Sequence, residues 1–305
     1  MSTDAPAVLL EAPKAGSSQN ALLLAALGFF IGGIGNVAWS LYSGSLAAAL
    51  MLRFLAGIFV VGSYRIIRRP SHPNLNKIGN GRVHLAISSA FDAGSVVLLA
   101  AAAQSVDTLT FTLIGLAGSG LLGLIAHRLP LAKASRAQIF VATGALTFSA
   151  LAVVSGERNG AFSLIGVLFA VLSAGFGVVS YITGSFASTH YHPSTVVFRM
   201  CLWGCLWSTL LILTGADFKI TPSTIAAAVF IAVLPGGLSK FMLYWSLARV
   251  SPYLVSACKA TMLLSAGLGG WLLLGEKPTL LQSFFTILAI TCVVLLSSPK
   301  NQTKV

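Results

Sequence analysis

The chain has 305 residues, of which 56% are hydrophobic and 9% charged, with a mean hydropathy of +0.89 and a formal charge of +12. A soluble domain needs about a quarter charged residues to cover its surface, so a one- or two-domain soluble protein is excluded, and so is disorder, which requires low hydrophobicity. The basic residues form no stripe apart from the apolar runs, which excludes nucleic-acid binding as the source of the charge. An all-α polytopic membrane protein remains.

A transmembrane helix needs roughly 20 mostly apolar residues. In chain order the sequence predicts ten spans, near residues 20–41, 46–67, 84–104, 107–127, 136–155, 161–184, 194–214, 224–247, 252–274 and 280–298. Short turns bearing Gly, Pro, Ser, Asp or Asn separate them, and the longest connector, about 66–83, is the most basic. Residues 1–19 and 299–305 read as cytoplasmic tails, the first disordered. The N-terminus lacks the basic-then-apolar order of a cleaved signal peptide, so the first span is expected to act as an uncleaved anchor.

Orientation follows from Lys and Arg in alternate loops. Of the 19 basic residues, twelve fall on the side of the N-terminus and three, Arg158, Lys219 and Lys277, on the other. Both termini are therefore expected in the cytoplasm, in a multi-pass protein of the cell (inner) membrane. Most of the +12 is accounted for by topology. The four cysteines, Cys201, Cys205, Cys258 and Cys292, all lie inside predicted spans without ligand spacing to histidine, and read as apolar thiols.

The chain repeats itself at a shift of roughly 145 residues. Arg53 meets Arg199, Gln104 meets Arg249, the small-residue run Gly115–Gly123 meets Ser265–Gly270, and Gln138 meets Gln282. Five spans per half is an odd number, so the halves, 20–155 and 161–298, enter the membrane inverted. Inverted repeats are the architecture of alternating-access transporters, with the site at the midplane between them. Pro235-Gly236-Gly237 in the eighth span predicts a helix break there, since proline removes a backbone donor.

Four cations lie inside spans, Arg53, Arg199, Lys240 and Lys259, against one acid, Asp92. Facing lipid, they would cost on the order of 10 kcal/mol together, so they must pair, snorkel or line a watery cavity. Arg53 and Arg199 fall on opposite sides of the midplane and suit either gates or structural pairs. Lys240 and Lys259, with Arg199, form a candidate site for a substrate carboxylate or phosphate. Asp92 is either the ion-pair partner of a lysine or a proton carrier. Asn36, Trp39 and Tyr244 are candidate cavity residues. No phosphate loop, nucleophile elbow or metal motif is present, so no catalytic residue, cofactor or metal is expected.

Trp245-Ser246-Leu247-Ala248-Arg249-Val250-Ser251-Pro252, followed by Gly270-Trp271-Leu272-Leu273-Leu274-Gly275-Glu276-Lys277-Pro278 and Gln282, resembles the second-repeat ending of the drug/metabolite transporter superfamily, in its ten-helix EamA-type branch. Leu52-Arg53-Phe54 is similar to that branch's Leu-Arg-Phe. The first repeat departs from the pattern, with His127-Arg128-Leu129-Pro130 where an acidic end motif is usual. The resemblance implies secondary transport of a small metabolite, amino acids among them, often outward and often with protons as coupling ion, and favours a structural part for Arg53. The partners expected are a small-molecule substrate and membrane lipid. An uptake permease for an organic anion or nucleoside-like solute, and a membrane accessory protein or enzyme, stand as alternatives.

Overall fold

The computed structural model describes residues 15–68, 79–126, 136–156 and 163–296, and every regular element among them is helical. The helices are α1 (Ala15–Leu41), α2 (Leu46–Arg68), α3 (Gly79–Ala103), α4 (Thr108–Ala126), α5 (Arg136–Val154), α6 (Leu164–His190), α7 (Pro193–Leu213), α8 (Pro222–Ile231), α9 (Ser239–Leu247), α10 (Pro252–Ala257), α11 (Lys259–Leu274) and α12 (Leu280–Leu296). A π-helical segment, Ala232–Leu238, joins α8 to α9. Seven described stretches are long and apolar enough to cross a membrane, α8–α9 and Leu254–Leu274 among them, and shorter apolar helices fill the fourth, fifth and tenth places. An all-helical fold follows from the composition, because lipid supplies no partner for a backbone amide and a helix satisfies its own.

Several helices outrun their apolar spans. Helix α1 begins at Ala15, inside the expected tail; α3 begins at Gly79; and α6 runs on to His190, whereas α2 ends at Arg68, within one residue of its expected end. Arg65, Arg68 and Arg82 therefore sit on helix ends rather than in a loop. The apolar pattern marks the hydrocarbon region, whereas helical hydrogen bonding continues until a cap or proline ends it. The ends are capped locally. Ser163 accepts from the Gly166 amide, Thr221 from the Thr224 amide, and His192 from the Ser194 amide. Residues 1–14, 127–135 and 297–305, with most of the basic connector and the departure at His127–Pro130, lie outside the described residues.

The small-residue faces permit very close helix contact. At Gly33 of α1 an added methyl would collide with Ser265 and the Met262 carbonyl of α11. Along the same seam Thr261 donates to the Ala26 carbonyl and Ser265 to the Phe30 carbonyl, each at 2.7 Å, and Ser246 of α9 donates to the Ala21 carbonyl at 2.7 Å. These hydroxyls hold together helices that the hydrophobic effect does not drive together within lipid. At the opposite end of α1, Gln104, just past α3, donates to the carbonyls of Trp39 (3.0 Å) and Tyr42 (2.9 Å), and the Tyr42 hydroxyl donates to Thr224 of α8 at 2.9 Å.

Candidate functional site

A cavity of about 120 Å³ lies at the centre of the bundle, walled by α1, α2, α3, α4, α6, the π segment, α9 and α11. Asn36, Trp39, Arg53, Asp92, Pro235, Lys240 and Lys259 all line it. Seven sequence-predicted residues, far apart in the chain, are thus brought to one wall. The volume suffices for a small solute or several waters.

An ion pair stands on its wall. Lys240 Nζ lies 2.5 Å from Asp92 Oδ1, with side-chain exposures of 15% and 6%. Tyr244, one turn along α9 and 1% exposed, donates its hydroxyl to Asp92 Oδ2 at 2.9 Å. Tyr244 does not line the cavity; it stands behind the pair, with Ser88 and Ser180 at 3.4 and 3.3 Å from its hydroxyl. Both oxygens of the one acid in the cavity are therefore occupied. Helix periodicity places Lys240 and Tyr244 on one face at i and i+4, so a single face of α9 grips both oxygens of the carboxylate on α3.

The other two cations have no such partner. Lys259 is 8% exposed; its ammonium donates to the Gly115 carbonyl at 3.3 Å and sits 4.8 Å from the Tyr181 ring centroid. Arg53 is 3% exposed and lies 4.6 Å from the Phe54 ring centroid, while its Nε and Nη1 have no hydrogen-bond acceptor. Among the described residues neither has a carboxylate within ion-pair distance. Aromatic faces give partial compensation, since the ring quadrupole attracts a cation.

Arg53 faces the π segment. The predicted break at Pro235-Gly236-Gly237 is a widened helical turn: Pro235 has no N–H to offer the Ile231 carbonyl, and the Ser239 amide reaches back five residues to the Leu234 carbonyl. Gly236 packs so tightly that a methyl there would lie 2.8 Å from the Ile231 carbonyl and 3.1 Å from Arg53 Nη2. Proline and two glycines thus let the guanidinium approach the helix backbone.

Arg199 is not brought to this site. It lies on the exposed side of α7, near enough to Arg65 to act on it electrostatically. The three-cation cluster expected of Lys240, Lys259 and Arg199 is formed instead with Arg53. Asn36 donates to Thr112 at 3.0 Å. Gly115 opens the small-residue run noted in the sequence, but Tyr181 and Thr112 stand out less there; only the polar ring of Tyr181 within an apolar run signals it.

Glu276, part of the Leu274-Gly275-Glu276 motif, has a structural post. Gly275, at φ +69°, ends α11 in a left-handed turn that swings Glu276 back, and its Oε1 accepts from the Thr108 amide at the start of α4 at 2.9 Å. The carboxylate thus sits at a positive helix terminus. Burial pushes its pKa above the ordinary glutamate value, against the opposing pull of the Thr108 and Leu109 amides. The Leu274-Gly275-Glu276 ending is the turn that seals α11 onto α4.

Residues 164–298 match the model of the EamA-like transporter family. A solved crystal structure 16% identical in sequence superposes over 92% of this chain and 96% of its own, with a TM-score of 0.68, which shows a shared fold. No curated protein matches the chain. The class defined by this fold is a multi-pass membrane protein. More particularly, its second half, from Leu164 onward, is similar to the EamA-like transporter family, whose members are transporters rather than enzymes.

Proposed function

We propose that the chain is a secondary transporter that carries a small polar metabolite bearing a carboxylate or phosphate, amino acids included, across the cytoplasmic membrane by alternating access, in export or exchange. The observation that carries this reading is the central cavity with three cations and one acid on its wall, two of the cations without a carboxylate partner. Buried charges in a membrane are costly and mark a solute or ion path.

Helix pairing supports two inverted five-helix halves, 20–155 and 161–298. Helix α1 packs on α9 as α6 packs on α3; α11 packs on α1 as α4 packs on α6; α2 meets α7 and α5 meets α12 across the centre. In this reading both termini are cytoplasmic, the π segment is the flexible point of the rocking half, and Asp92 is the group through which a proton acts, because protonating it releases Lys240.

Counterflow in proteoliposomes across amino acids, organic acids, phosphorylated metabolites and amines tests the proposal. Solutes bearing a carboxylate or phosphate are expected to exchange. Exchange of neutral or cationic compounds alone, with Lys259→Ala silent, would overturn the anion site.

A further inference from the structure

The charges on the cavity wall do not cancel. Arg53, Lys240 and Lys259 contribute three positive charges and Asp92 one negative, leaving two. Asp92 is committed to Lys240 and Tyr244 through its two oxygens. The excess therefore resides on Arg53 and Lys259, both more than nine-tenths buried, the first with two unpartnered nitrogens and the second with one carbonyl and one ring. Among the described residues the remaining polar wall consists of neutral groups, such as Ser95, Thr112 and Ser239.

We infer that the cavity is matched to a small solute with two negative charges, such as a phosphate monoester or a dicarboxylate, and that it turns over as an obligatory exchanger. This rests on the proposed transport function and names its substrate class and cycle. Alternating access passes through a closed state in which the cavity loses contact with bulk water. Closing it empty takes two uncompensated cations out of water, and a buried charge without a partner is strongly disfavoured. A monoanion neutralises one of them, a zwitterion or neutral solute neither. A dianion neutralises both, so the closed state is reached most readily with a dianion aboard, in each direction. Lysine as a point charge and arginine as a planar fork are both good ligands for carboxylate and phosphate oxygens.

The test uses the full chain in proteoliposomes at about pH 8, where phosphate monoesters are dianions. Vesicles are loaded with glycerol 3-phosphate, succinate or inorganic phosphate as separate dianion arms, and with lactate, leucine or putrescine as comparisons. Counterflow of at least one dianion is expected to exceed its net efflux into solute-free buffer by about tenfold or more. Lys259→Gln removes one of the two excess charges and is expected to shift the preference from dianion towards lactate by about tenfold. A merely structural role for Lys259 would instead lower every rate alike and leave the preference unmoved. Exchange of lactate or leucine without any dianion, net efflux as fast as exchange, or an unmoved preference in Lys259→Gln would each overturn the inference while leaving transport intact. No flux of any arm from reconstituted, folded protein would overturn the transport function itself, and the inference with it.

Discussion

Arg53 and Arg199 occupy matching places in the two halves of the sequence, yet one is buried in the cavity wall and the other lies exposed on α7. The difference comes from what each helix packs against. Helix α2 meets the π segment, where Pro235 and Gly236 open the backbone to the guanidinium. Helix α7 meets α3, which runs as an uninterrupted α-helix through the matching stretch, and there Trp207 of α7 donates to the Ala90 carbonyl at 3.1 Å. A continuous α-helix has no widened turn for an arginine to approach. A repeat thus assigns a residue its slot, while the facing helix decides whether the slot carries chemistry.

The widest expected contrast is between the two arginines themselves. Arg53→Ala should lower counterflow by roughly 30-fold or more, since truncating a buried charged group that contacts a ligand costs several kcal/mol, and Arg53→Lys should recover part of it. Arg199→Ala should stay within about twofold, as exposed substitutions do. Equal losses in the two variants would erase the distinction.

Next in size is the pair that neutralises Lys240. Asp92→Asn should destabilise the protein by about 3–5 kcal/mol in detergent unfolding, because it strands a buried ammonium. The double variant Asp92→Leu, Lys240→Met should recover most of that loss. In liposomes Asp92→Asn should also abolish any dependence of flux on a proton gradient; gradient-driven flux equal to the wild type would remove Asp92 from coupling.

Pro235→Ala bears on the comparison from the other helix. Restoring the missing amide favours a regular α-helix, so thermal stability should rise by a few degrees while counterflow falls, the usual exchange between stability and a strained functional segment. A gain in stability with unchanged flux would make the widened turn incidental.

The smallest effect is at Glu276. Its pKa is raised in the folded chain, so the folded state favours the protonated form; its contribution to stability is complete below the ordinary glutamate value and is lost as pH rises through the raised one. Thermal midpoints measured against pH should therefore fall less with rising pH in Glu276→Gln than in the wild type, by on the order of 1–2 °C.

Much of the fold was legible in the sequence because lipid demands a crude signal, long apolar runs ended by polar turns. The cavity residues were legible for a related reason: a charge inside a span has few places to go, and Asp92 with Lys240 was one of the pairings that scarcity allowed. Several helix ends were not, since α1, α3 and α6 continue beyond their apolar stretch. Arg199 misled because its depth resembles that of Arg53, and depth carries no information about which side of a helix faces a neighbour. Glu276 escaped because its partner, the Thr108 amide, is a backbone group 168 residues away. A side chain bonded to backbone leaves no mark on the sequence at the far end.

The most direct measurement of the central claim is thermal stabilisation of the purified protein by glycerol 3-phosphate, succinate and putrescine, read in the wild type, Arg199→Gln and the double variant Arg53→Gln, Lys259→Gln. A ligand that binds only the folded state raises its midpoint. The account predicts stabilisation by at least one of the two anions in the wild type and in Arg199→Gln, and none in the double variant. Stabilisation by putrescine alone, or anion stabilisation that survives in the double variant and vanishes in Arg199→Gln, would contradict it.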